Sequence, residues 1–186
     1  MAAETLQRTK ATIEDLYHID GKAELVNGEI VSMAPTGGLP GIASDEIADA
    51  LRDYAKETGT GIAVGDGKGF HVRLPNRESF SPDAAYIVGV VPTMRFYEGS
   101  PVFAVEIRNE WQYGPAAERD MAAKRADYFL AGTQVVWDVD LLAEEFIVKV
   151  YRSSDPANPT GYRRGEIAEA EPAVPGWTMS VDALFG

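Results

Sequence analysis

The sequence predicts a mixed α/β domain, and three observations carry that expectation. Helical periodicity runs through 42–57 and again through 116–130. Short apolar runs of strand length flank and separate these segments, at 61–74, 82–91, 102–107 and 134–139. Turn residues mark nearly every boundary. Strands bracketing two long helices read as one α/β layer structure. A chain of 186 residues with an apolar share of 45% can bury one full core, so residues 1–186 are expected to form a single domain.

The elements follow in order. Thr12 to Ile19 reads as a short helix, with Thr12 placed to cap and acids in the first turn. Ala23 to Met33 reads as a hairpin about Asn27-Gly28, a strong two-residue turn signal. Pro35 to Gly41 is rich in breakers and reads as a loop. Over 42–57, Ile47, Leu51 and Tyr54 recur at steps of four and three, with Ala43, Ala50 and Ala55 widening the face. The acids Asp45, Glu46, Asp49 and Asp53 fall mostly on the other faces, as on a solvated surface. Gly61 to Leu74 reads as two strands joined at Asp66-Gly67. Pro82 must start a strand or lie on an edge, which puts Asp83 at a strand's beginning. Val102 to Ile107 and Gln134 to Val139 read as strands buried on both faces. Between them lies a helix over about 116–130, closed by Gly132. Glu145 to Tyr151 alternates as a strand, Ser153 to Thr160 reads as a loop, and Tyr162 to Glu169 as a last edge strand. Trp177, Val181 and Leu184 are expected to dock the tail, with SVDALF as one helical turn.

Composition narrows the function. With no cysteine, disulfides, thiol nucleophiles and zinc–thiolate sites are excluded. No stretch approaches the roughly 18 apolar residues of a membrane span. The start MAAETLQRTK lacks the apolar core of a signal peptide, which fits a cytoplasmic address. A net charge of −12 argues against broad electrostatic binding of nucleic acid, which needs Lys and Arg to displace counterions. Gly65 to Gly69 lacks the spacing of a phosphate loop, and His18 and His71 stand isolated.

Three polar residues sit where apolar neighbours would not choose them. Asp83 opens AAYIV, Glu106 follows VFAV, and Lys124 shares a helix face with Ala117, Met121 and Tyr128. Two strand-end carboxylates and a lysine on the next helix are the parts of a metal-assisted hydrolytic site. Each also has an ordinary reading. Asp83 could serve a Pro-Asp turn. Glu106, costly to bury unpaired, could pair with Arg108. Lys124 could pair with Asp120 one turn earlier, or snorkel.

Their order, with AELVNGEIVSMAP, SPDAAYIV, FAVEI and DMAAKRADYFLAGTQVVWDVD, resembles an Uma-type endonuclease family, once a domain of unknown function. That family lies in the restriction-endonuclease-like PD-(D/E)XK superfamily. The resemblance covers a core of about 17–151, with a docking tail at 172–186. It implies a restriction-endonuclease-like fold: a central four- or five-stranded mixed sheet flanked by helices, with an N-terminal hairpin. It implies Mg2+, replaceable by Mn2+, on Asp83, Glu106 and the carbonyl of Ile107, with Lys124 supplying the lysine. It also implies an acid from the hairpin, Glu24 or Glu29, although both could equally form cross-strand pairs. Tyr128 and Trp137 match recurrent positions, as packing residues. Two features depart from the family: no histidine opens the first long helix, and Asn109-Glu110-Trp111 replaces a Ser-Pro motif. The resulting expectation is a Mg2+-dependent endonuclease acting on DNA through Asp83, Glu106, Lys124 and Glu24. Alternatives are a non-catalytic assembly domain with the same fold, or a hydrolase of small phosphate esters. A homodimer would suit double-strand cutting, but no residue pattern requires one.

Overall fold

The structure, a computed structural model, describes residues 10–186. The polar start at 1–9 therefore lies outside the described residues. The chain runs through α1 (Ile13–Leu16), β1 (Ala23–Val26), β2 (Glu29–Ser32), α2 (Gly38–Thr58), β3 (Ile62–Gly65), β4 (Phe70–His71), β5 (Ser79–Phe80), β6 (Ala84–Ile87) and β7 (Tyr97–Glu98). It continues through β8 (Phe103–Ile107), α3 (Pro115–Leu130), β9 (Val135–Val139), β10 (Val148–Arg152), β11 (Asp155–Tyr162), β12 (Ile167–Glu169) and β13 (Thr178–Ser180), and closes on a 3-10 turn, Val181–Phe185.

The central sheet is mixed, in the order β11-β10-β9-β8-β6-β3. Within this sheet, among the described residues, only β8 and β9 are parallel, and α3 is the crossover between them, as a parallel pair requires. The sheet has six strands where four or five were expected, because β11 extends its edge. Most of β11 falls in Ser153 to Thr160, the stretch whose turn residues, Pro156 and Pro159 among them, read as a loop. An edge strand tolerates prolines, since half of its backbone groups face away from the ladder. The expected edge strand at 162–169 instead shortens to β12, which pairs with β13 outside the main sheet. Likewise β3 and β4 do not pair with each other. β3 joins β6, while β4 forms a small sheet with β5 and β7.

Alternation along the strands divides the interior in two. On one face Phe103, Val105, Trp137 and Val139 pack with Ala43, Ile47, Ala48 and Leu51 of α2, and with Trp177, Val181 and Leu184 of the tail. On the other, Ala85, Ala104 and Val136 pack with Phe70, Phe80 and Tyr128. The tail residues Trp177, Val181 and Leu184 are part of this core. Helix α2 begins four residues before its apolar stripe, at Gly38, and Pro40 sits in its first turn, where its missing N–H has no helical partner to lose.

The hairpin is set by local chemistry. Asn27 and Gly28 both take positive φ, 54° and 75°, the conformation that two-residue turns require. Its strand β1 then docks on the segment before β6. Leu25 N–H donates to Ser79 Oγ at 2.8 Å, Glu78 N–H donates to Leu25 C=O at 2.9 Å, and Val26 bridges Arg77. This docking carries Glu24 to the end of the central sheet.

Candidate active site

Asp83 and Glu106 reach each other through strand register. β6 and β8 are antiparallel with Ala84 opposite Val105, so the residues just outside that pair, Asp83 and Glu106, fall side by side. Both belong to the alternation that faces Tyr128 and α3. The ladder ends there: Ile107 N–H donates to Asp83 Oδ2 at 2.6 Å, fixing one carboxylate oxygen. Ser44 of α2 donates to the Asp83 carbonyl at 2.6 Å and holds the backbone from the opposite face.

Glu106 is 8% exposed. Its Oε1 accepts from Tyr128 Oη at 2.7 Å, and its Oε2 from Lys124 Nζ at 2.8 Å. Lys124 also reaches Glu24 Oε1 at 2.9 Å. Glu24 in turn accepts from Ser81 N–H at 2.9 Å and from Arg77 at 2.5 Å. The expected set, Asp83, Glu106, Lys124 and Glu24, therefore meets in one place. Glu106 does not pair with Arg108, and Lys124 does not pair with Asp120. Glu29 lies at the exposed turn end of the hairpin, outside the cleft. Ile107 lines the cleft beside the carboxylates. His18 is exposed, and His71 pairs with Glu98 on the small sheet.

Other residues join that sequence reasoning did not select. Lys22 bridges Asp83 and Asp66, at 2.6 and 2.7 Å. Arg77 links Glu24 to Asp127 on α3, with Nε 2.9 Å from Asp127. Tyr128, expected only to pack, stacks on Phe80 with ring centres 3.9 Å apart and also orients Glu106. One signal was available for Lys22: it precedes Glu24 by two, so an extended strand puts both on one face. Arg77 and Asp127 are assembled by loop and helix packing and left no comparable pattern.

Here the electrostatics favour a further positive charge. Five carboxylates (Glu24, Asp66, Asp83, Glu106, Asp127) face three cations (Lys22, Arg77, Lys124). Burial pushes Glu106 above the usual carboxylate range; Lys124 opposes this, and the charges of Asp83 and Glu24 add to it. Burial acts on Glu24 too, but Lys124 and Arg77 outweigh it and hold Glu24 below that range. Burial works to lower Lys124, but Glu106 and Glu24 raise it above an ordinary lysine. Burial and the charge of Glu106 raise Tyr128 well above an ordinary phenol, so it stays a donor.

The residues fit a hard divalent cation of the Mg2+ type. One oxygen of each central carboxylate is fixed by the protein, through Ile107 N–H or Tyr128 Oη. The other, Asp83 Oδ1 or Glu106 Oε2, accepts from a lysine ammonium, Lys22 or Lys124. Among the described residues, no group of three or more His, Asp or Glu side chains is arranged to hold a metal. Mg2+ needs no such group: it is commonly held by one or two carboxylates together with water and substrate oxygens. The cleft, about 580 Å3, has room for these.

Beneath α3 lies a second ionic cluster. Arg108 Nε and Nη2 grip Asp138 at 2.8 Å each, Arg125 adds a contact at 3.0 Å, and Arg108 also pairs with Glu118. It ties α3 to β8 and β9 around Lys124, one residue before Arg125.

Comparison with known proteins follows this geometry. A solved structure described as a putative nuclease belonging to DUF820, from Anabaena variabilis ATCC 29413, superposes with a TM-score of 0.72. The match covers 94% of this chain and 97% of that one at 15% identity, and so establishes a shared fold. A search of curated proteins finds no match. The family model described as Uma2, putative restriction endonuclease, matches residues 11–182, nearly the whole chain. With its mixed six-stranded sheet and docked hairpin, the chain belongs to the Uma2 family.

Proposed function

We propose that this protein is a Mg2+-dependent endonuclease that hydrolyses phosphodiester bonds of DNA with an activated water. The observation that carries the reading is the convergence of Asp83 and Glu106 at one strand end, with Lys124 2.8 Å from Glu106. Membership of the Uma2 family supports it.

Asp83, Glu106 and the Ile107 carbonyl would hold the cation. When bound, it would supply Lewis-acid polarisation of the phosphate and acidify a water. The chain's own groups do the rest. Lys124 keeps its proton, because its pKa is raised. It therefore acts as a fixed positive charge and donor, not as a base: it orients the attacking water and stabilises charge developing on the phosphoryl oxygens. Glu24 holds Lys124 from the far side, and Arg77 in turn holds Glu24. Tyr128 sets the rotamer of Glu106 through its hydroxyl.

A second reading, a non-catalytic assembly domain, is favoured by one observation: Lys22 and Lys124 already pair with the two central carboxylates. Titration calorimetry with Mg2+ separates the readings, and metal-dependent nicking of plasmid DNA tests the first. The nuclease reading expects Asp83→Ala and Glu106→Ala to abolish nicking while folding normally. Full cleavage by both variants, or no heat at millimolar Mg2+, would remove it.

A further inference from the structure

Beside the cleft runs a second groove of about 410 Å3. Its apolar lining is formed by Ala34, Pro35, Leu39, Trp111, Leu141 and Leu142, and Arg108, Asn109 and Glu110 are its polar residues. The two depressions adjoin: Ala34, Asn109 and Trp111 line both.

Trp111 is the feature to explain. It is 75% exposed, whereas Trp137 and Trp177 are 1% and 5% exposed. An indole left in water forfeits a large apolar contribution. Nor does a slack loop account for it. Asn109 N–H donates to Gln112 Oε1 at 2.9 Å, Gln112 N–H donates to Asn109 C=O at 3.0 Å, and Tyr113 Oη donates to Asp140 at 2.7 Å. The loop is pinned on both sides of Trp111, which places the indole at the mouth of the cleft.

The charge of the protein bears on what that face receives. The protein carries a net charge of −12, and the three cations that line the cleft, Lys22, Arg77 and Lys124, are each paired with carboxylates. Stacking on an aromatic ring draws affinity from the base rather than from the phosphate, adding to whatever backbone contacts form, and it requires an unpaired base.

We infer that Trp111 and the groove beside it bind an unpaired nucleobase next to the reacting phosphodiester, so that the substrate is single-stranded or locally unpaired DNA. This rests on the nuclease reading of the adjoining cleft.

The test compares wild type, Trp111→Phe and Trp111→Ala. Without metal, binding of a short oligothymidylate and of a duplex of equal length is followed by anisotropy; with Mg2+, cleavage kinetics follow. The inference expects the single strand to bind at least about tenfold tighter than the duplex. It expects Trp111→Ala to lose about tenfold or more, Trp111→Phe to retain most of the affinity, and the loss in cleavage to fall on KM. Oligothymidylate should also quench tryptophan fluorescence in wild type and not in Trp111→Phe. Unchanged binding in Trp111→Ala, or tighter binding of duplex, overturns the inference and leaves the nuclease reading intact if wild type still cleaves. Wild type that neither binds nor cleaves DNA overturns both.

Discussion

Replacing Lys124 with Met should destabilise the protein in a way that depends on pH and on metal. The ammonium lies 2.8 Å from Glu106 and 2.9 Å from Glu24 in a largely buried setting. Without it, Glu24 keeps Arg77 at 2.5 Å and the Ser81 amide, whereas Glu106 keeps only the Tyr128 hydroxyl. The deficit therefore falls on Glu106. Removing one partner of a buried pair costs about 3–5 kcal/mol, and Met retains most of the aliphatic packing. The sign with pH follows from Glu106, which already titrates above its unfolded value of 4.5 and would go higher without Lys124. A raised folded pKa favours the fold while the group is protonated, and that advantage is lost as pH rises through the folded pKa. The deficit should thus be full at pH 8 and shrink toward pH 5. Mg2+ would take up the exposed charge, restoring about 2.7 kcal/mol at a hundredfold excess over its Kd. Urea denaturation at pH 5 and pH 8, with and without Mg2+, reads all three effects. A loss below about 1 kcal/mol, or one equal at both pH values, would refute the reasoning.

Other substitutions separate stability from chemistry. Glu106→Gln should be at least as stable as wild type at neutral pH, since the raised pKa means that ionised Glu106 opposes folding there, yet it should not cleave; thermal melts beside nicking assays check this. Tyr128→Phe keeps the stack on Phe80 but loses the 2.7 Å bond to Glu106. It should cost about 1.5–3 kcal/mol in denaturation and lower the cleavage rate. Asp138→Ala leaves Arg108 and Arg125 without their shared carboxylate. It should cost about 3–5 kcal/mol in urea unfolding and loosen α3 enough to slow cleavage.

Some of this arrangement was legible in the sequence, for a physical reason. Asp83 and Glu106 interrupt apolar strands, and a buried carboxylate must find a partner. Lys124 occupies the helix face that the periodicity turns inward. The same logic applies to Asp138 within VVWDV, which the structure pairs with two arginines in a brace away from the cleft. An acid in an apolar strand thus marks burial; its partners, unseen in sequence, decide between brace and site. The cations contributed by Lys22 and Arg77 depend on how the hairpin docks, a long-range event that leaves no periodicity. The sixth strand was hidden because two prolines look like a loop until the strand is known to be an edge. The early start of α2 was hidden because glycines and proline read as breakers, although proline in a first helical turn is harmless.

The central claim is that Asp83 and Glu106 share a divalent cation. A crystal grown in Mn2+ and measured for anomalous scattering tests it most directly. The account predicts a single strong peak in contact with both carboxylates, with the Lys22 and Lys124 ammonium groups displaced from Asp83 Oδ1 and Glu106 Oε2. Both lysines still seated on those oxygens at saturating Mn2+, with no peak between the carboxylates, would contradict it.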